Sequence, residues 1–125
     1  MASAPRLLLV DDEKDSLYTM RRALERLGYG VAAETSAQKA LERFAREEFD
    51  LVILDIKMAG MDGYTLYEKM VAIRPATKAC FLTANAEHNS EFKERHPALG
   101  SNCFLLKPIS FERLAAAIKA LVGDP

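Results

Sequence analysis

Leu51-Val52-Ile53-Leu54 is an unbroken run of four apolar residues closed by Asp55. A run of that kind, without polar alternation, belongs to a strand buried on both faces. The same pattern recurs at Leu7-Leu8-Leu9-Val10, Cys80-Phe81-Leu82 and Cys103-Phe104-Leu105-Leu106, and more weakly at Val31-Ala32-Ala33. Between the runs the apolar residues take up helical spacing. Leu17, Met20, Leu24 and Leu27 form one stripe, with Gly28 placed to end it. Ala37, Ala40, Leu41 and Phe44 form a second stripe behind a Ser36 cap, and Leu66, Met70 and Ile73 a third that stops before Pro75. The stretch from Glu87 to His96 is weakly amphipathic and is closed by Pro97. Phe111, Leu114, Ile118 and Leu121 make a last stripe behind a Ser110 cap. Five strand-then-helix units predict an α/β fold, a doubly wound sheet of five parallel strands with five helices on its two faces.

The bulk properties fit a single domain over residues 1–125, with its core over about 6–122. A net charge of -1 gives no global attraction to nucleic acid or to an anionic membrane. No apolar run approaches the roughly 20 residues that cross a bilayer. Met1-Ala2-Ser3-Ala4-Pro5 lacks the basic and apolar blocks of a signal peptide, so a cytoplasmic protein is expected. Cys80 and Cys103 lie in apolar runs without metal-ligand spacing and read as reduced core residues.

In an open parallel sheet the working site lies outside the carboxyl ends of the strands. Asp11, Asp12 and Glu13 follow the first strand, Asp55 the third, Thr83 and Ala84 the fourth, Lys107 and Pro108 the fifth. If the first and third strands are neighbours, at least three carboxylates share one cleft. Two like charges about 4 Å apart repel by roughly 4 kcal/mol at an effective dielectric of 20. The cluster therefore needs a cation, and hard oxygen ligands suit Mg2+ or Ca2+. With Lys107 and the Thr83 hydroxyl nearby, Asp55 has what a phosphoryl-accepting carboxylate needs.

Asp11-Asp12-Glu13, Leu54-Asp55, the loop Met58-Ala59-Gly60-Met61-Asp62-Gly63, Thr83-Ala84 and Lys107-Pro108 together resemble the receiver domain of two-component response regulators. Each motif is weak alone; their order and their places at successive strand ends are specific. The resemblance spans nearly the whole chain and implies the strand order 2-1-3-4-5. It implies a phosphoacceptor switch rather than a turnover enzyme, phosphorylated on Asp55 by a histidine kinase or a histidine phosphotransfer protein. It further implies that Asp12 and Asp55 ligate Mg2+ directly, Asp11 through water, and Lys57 through its backbone carbonyl. Lys107 would hold the phosphoryl group, with a cis bond to Pro108. Thr83 and Phe104 would be the switch pair, read by a downstream protein or output domain on the face of helix four, strand five and helix five. Lys57, two residues after Asp55, and Asn85, two after Thr83, flank the expected path of water and would tune the lifetime of the phosphoryl group.

The chain departs from the family pattern at Ala59, where proline is usual, and in a slightly longer stretch from Thr83 to Lys107 that contains Asn85 and Pro97. Two other classes fit less well. A phosphohydrolase of the haloacid-dehalogenase type needs a second aspartate two residues after the nucleophile, where this chain has Lys57. A flavodoxin-like carrier needs a hydroxyl- and glycine-rich loop after the first strand, where Asp11-Asp12-Glu13 would repel a flavin phosphate. A degenerate receiver that only binds partners is at odds with the complete acidic set and Lys107. Taken singly, Asp12 could merely cap a helix, Thr83 a turn, and Phe104 could be core; Tyr18, Tyr64 and Tyr67 read as amphipathic helix residues.

Overall fold

The computed structural model describes residues 4–84, 90–97, 99 and 104–125. Its strands are β1 (Arg6–Val10), β2 (Gly30–Glu34), β3 (Leu51–Asp55), β4 (Ala79–Thr83) and β5 (Phe104–Leu106). They form one parallel sheet in the order β2-β1-β3-β4-β5, as expected. The helices are α1 (Lys14–Leu27), α2 (Ala37–Arg46), α3 (Gly63–Ile73), α4 (Ser90–Arg95) and α5 (Phe111–Val122). Four have ten residues or more, whereas α4 has six. Asn85, His88 and Cys103 lie outside the described residues.

Alternation along the strands splits the apolar residues between two cores. Leu8, Val10, Val52, Leu54 and Phe81 face α2, α3 and Phe92 of α4. Leu7, Leu9, Leu51, Ile53, Cys80 and Leu82 face α1 and α5. Because both faces are covered, β1, β3 and β4 need apolar side chains at every position, and that is the continuous run seen in the sequence.

The helix boundaries have local causes. Gly28 ends α1 with φ +108°, a left-handed conformation that glycine adopts without Cβ strain. The Ser36 and Ser110 hydroxyls accept from the Lys39 and Arg113 amides, each at 3.2 Å. Leu27, Ile73 and Phe111 are more exposed than their stripes suggest, at 45%, 44% and 39%. All three sit in a terminal turn. At ~1.5 Å per helical residue, α1 outruns a five-residue strand at ~3.3 Å per residue, so its last turn has no sheet beneath it.

The register sets the site. Val10 pairs with Leu54, so the next residues, Asp11 and Asp55, leave the sheet side by side. Asp55 pairs with Leu82, and Thr83 with Leu106. The Lys107 amide then donates to the Thr83 carbonyl at 2.7 Å, which brings Lys107 to the same edge.

Candidate functional site

Asp11 and Asp55 are 2% and 6% exposed, and Thr83 is buried beside them. Asp12 is exposed at the mouth of the cleft. Carboxylate oxygens of Asp11, Asp12 and Asp55 all lie within 4.8 Å of one another. The Lys107 ammonium stands 3.2 Å from Asp55 Oδ2 and 3.8 Å from Asp11 Oδ2. Burial pushes the Asp55 carboxyl above its usual range; the Lys107 charge and hydrogen bond pull it back, and the Asp11 and Asp12 charges add to the rise.

The neighbours of each carboxylate differ. The Glu13 amide donates to Asp11 Oδ1 at 2.9 Å. Among the described residues, buried Asp11 Oδ2 has no hydrogen-bond partner. Asp12 Oδ2 accepts from the Ala59 amide at 3.2 Å, joining the end of β1 to the β3–α3 loop. A buried anionic oxygen that no hydrogen bond satisfies among the described residues, beside two more carboxylates, suits a hard divalent cation, so the donor set fits Mg2+.

The loop after β3 is held from both ends. Asp62 caps α3 by accepting from the Thr65 amide at 2.8 Å, and the Gly63 amide donates to the Ile56 carbonyl at 2.9 Å. A Cβ on Gly63 would lie 2.5 Å from the Asp55 carbonyl oxygen, so only glycine lets α3 begin this close to the acceptor strand. Lys57, inside this loop, is exposed, and among the described residues it makes no ion pair.

Of the residues singled out in the sequence, Asp11, Asp12, Asp55 and Lys107 converge on one cleft, and buried Thr83 joins them through β4. The peptide between Lys107 and Pro108 is cis, as expected. Phe104 is half-buried, with its ring stacked on Phe81 at 5.2 Å between centroids. Phe92 of α4 stacks on Tyr64 at 4.1 Å and meets Tyr67, Phe81 and His96 at 5.8, 5.4 and 4.5 Å. Asn85 is outside the described residues.

Sequence reasoning missed the Asp62 cap, although Asp-Gly before a helical stripe is a signal for one. It also missed the Asp12–Ala59 bond, which has no local signal because the two residues are far apart in the chain. A groove of about 670 Å³ runs beside Asp11 and Lys107, between α1 and the β5–α5 connection, and Met20, Ile109 and Phe111 are among its walls. Among the described residues no helix is long and apolar enough to cross a membrane.

Residues 7–119 match the model of a family described as the response regulator receiver domain. The transcriptional regulatory protein ZraR of Escherichia coli K12 is 31% identical over 90% of this chain and 25% of its own length. The sensor protein EvgS of the same organism is 31% identical over 92% of this chain and 9% of its own length. The chain thus spans a quarter or less of these relatives. A receiver domain from Methanospirillum hungatei superposes with a TM-score of 0.84 at 33% identity, covering 94% of this chain and 93% of that one. TrrA of Thermotoga maritima, solved with Mg(2+)-BeF, superposes with a TM-score of 0.81 at 28% identity, over 94% of this chain and 98% of its own.

Proposed function

Since the chain belongs to the response regulator receiver family, we propose that Asp55 is its phosphoacceptor and that the cleft around it works with Mg2+. One observation carries this: a buried carboxylate at the end of β3, its carboxyl raised by burial, sits 3.2 Å from a lysine ammonium and beside two more carboxylates. An arrangement so unfavourable for folding alone is expected where function requires it.

Asp12, Asp55 and the Lys57 carbonyl would hold the cation, with Asp11 acting through water. Bound Mg2+ would supply positive charge to the phosphoryl oxygens. An Asp55 oxygen attacks phosphorus, the new O–P bond forms, and the bond to the donor breaks with its electron pair leaving on the donor. Lys107 pairs with a phosphoryl oxygen as the group arrives, exchanging one anionic partner for another. The Thr83 hydroxyl donates to a further oxygen, and Phe104 turns into the space that Thr83 leaves.

The donor would be a histidine kinase or a histidine phosphotransfer protein, approaching along the groove beside Asp11 and Lys107. The output would be read on the α4–β5–α5 face by a partner or an attached domain, in the cytoplasm. The protein's task is to hold the phosphoryl group and change shape rather than to turn over substrate, and residues 1–125 act as one such unit. In acetyl phosphate with Mg2+, intact mass should show one added phosphoryl group, lost in Asp55→Asn and in EDTA. Undiminished labelling of Asp55→Asn would sink the assignment.

A further inference from the structure

The three carboxylates of the cleft are not compensated alike. Lys107 lies within 4 Å of Asp11 and Asp55, but among the described residues Asp12 makes no ion pair. Instead the Ala59 amide donates to its Oδ2 at 3.2 Å. That donor is a backbone N–H at a position where proline would leave none. It belongs to the loop whose Lys57 carbonyl and Asp62–Gly63 corner surround the acceptor strand.

We propose that the Ala59 amide is a resident counter-partner for Asp12, one that a divalent cation has to displace. Without a cation the amide holds the third negative charge of the cleft in place and offsets part of its repulsion from Asp11 and Asp55. A cation drawing on the same carboxylate withdraws Oδ2 from the amide. Cation binding then releases one of the ties on the β3–α3 loop, and loop position becomes linked to occupancy. The amide acts through Asp12 and is a positioning group, not a catalytic one. An opposite effect also exists: by pinning an exposed side chain over the cleft, the amide reduces the rotamer freedom lost on binding. Competition should win. Few rotamers are at stake in a short aspartate, whereas a cation drawing on Oδ2 meets an oxygen already turned toward the amide.

The inference rests on the proposal that Mg2+ binds at this cluster, and the test separates the two. Mg2+ is titrated into the chain by calorimetry, and the Ala59 amide is followed by 15N–1H resonance. The amide should move upfield in proton shift as its hydrogen bond is lost, saturating with the calorimetric curve. Ala59→Pro, which lacks the donor, should bind Mg2+ about two- to five-fold more tightly than the parent. Ala59→Ser, which keeps it, should match the parent. Equal or weaker binding by a folded Ala59→Pro overturns the inference and leaves the Mg2+ site standing. So does an Ala59 amide that does not shift at saturating Mg2+, a measurement on the unaltered chain that stands even if the proline variant does not fold. No heat and no shifts anywhere in the parent would overturn the Mg2+ site itself, and this inference with it.

Discussion

Replacing Lys107 by methionine keeps the reach of the side chain and removes its charge. The ammonium lies 3.2 Å from Asp55 Oδ2 and 3.8 Å from Asp11 Oδ2. At an effective dielectric of 20 these contacts correspond to about 5 and about 4 kcal/mol of direct attraction. The Lys107 side chain is 30% exposed, so water screens it, and desolvating the carboxylates offsets more. A net loss of about 2 kcal/mol in metal-free stability is the expected remainder. The same subtraction acts oppositely on the cation: with the lysine gone, three carboxylates face Mg2+ without a competing positive charge. A gain of about 1.4 kcal/mol, or ten-fold in affinity, requires only part of the lost compensation. Lys107→Met should therefore be less stable than the parent to urea in EDTA, should bind Mg2+ at least about ten-fold more tightly, and should recover most of the deficit at saturating Mg2+. Acetyl phosphate labelling should still fall, because the group that receives the phosphoryl oxygens is missing. A variant that is destabilised yet binds Mg2+ no better than the parent would refute the electrostatic account of the cleft.

Three further outcomes are expected. Lys57→Ala and Lys57→Asn should shorten the lifetime of the phosphorylated protein by up to about ten-fold, the equivalent of ~1.4 kcal/mol, if the exposed lysine screens the phosphoryl group from water; first-order decay in saturating Mg2+ measures this, and unchanged or slower decay excludes it. Gly63→Ala should destabilise the fold by about 1–3 kcal/mol, because the new methyl meets the Asp55 carbonyl and the backbone has to shift; urea unfolding at the wild-type level would mean that α3 moves aside freely. Asp55 binds a proton more readily folded than unfolded, so its contribution favours the folded state below its unfolded value and is lost as pH rises through the folded value. In EDTA, Asp55→Asn should therefore be the more stable protein at neutral pH, with an advantage that narrows on acidification.

The sheet was legible because its central strands are covered on both faces. Nothing else requires apolar side chains at every position of Leu7–Val10 or Leu51–Leu54, and neither run is long enough to be taken for a helix. The acidic ends and Lys107 were legible because a parallel sheet brings the residues after each strand to one edge. What could not be read depends on distances set by packing. Leu27 continues its stripe in sequence, but the strands are too short to cover it, and Ile73 is left half open in the last turn of α3. The crowding of Asp11 Oδ2 and the Asp12–Ala59 bond arise only when the ends of β1 and β3 lie side by side, and the contact forbidden at Gly63 only when α3 turns back onto the end of β3. Phe92 gave little sign of its place, because its stretch is weakly amphipathic and its ring partners include residues of α3, β4 and β5.

Helix α4 is fastened to the rest of the domain largely by flat surfaces: Phe92 lies against Tyr64 at an interplanar angle of 26° and meets Tyr67 and Phe81 edge-on. Stacked and edge-on rings both attract, and prying them apart exposes their apolar faces to water. Such a fastening resists lifting. Sideways, Arg95 of α4 lies 3.7 Å from Glu68 of α3, so a shift of the helix along α3 would also stretch an exposed ion pair.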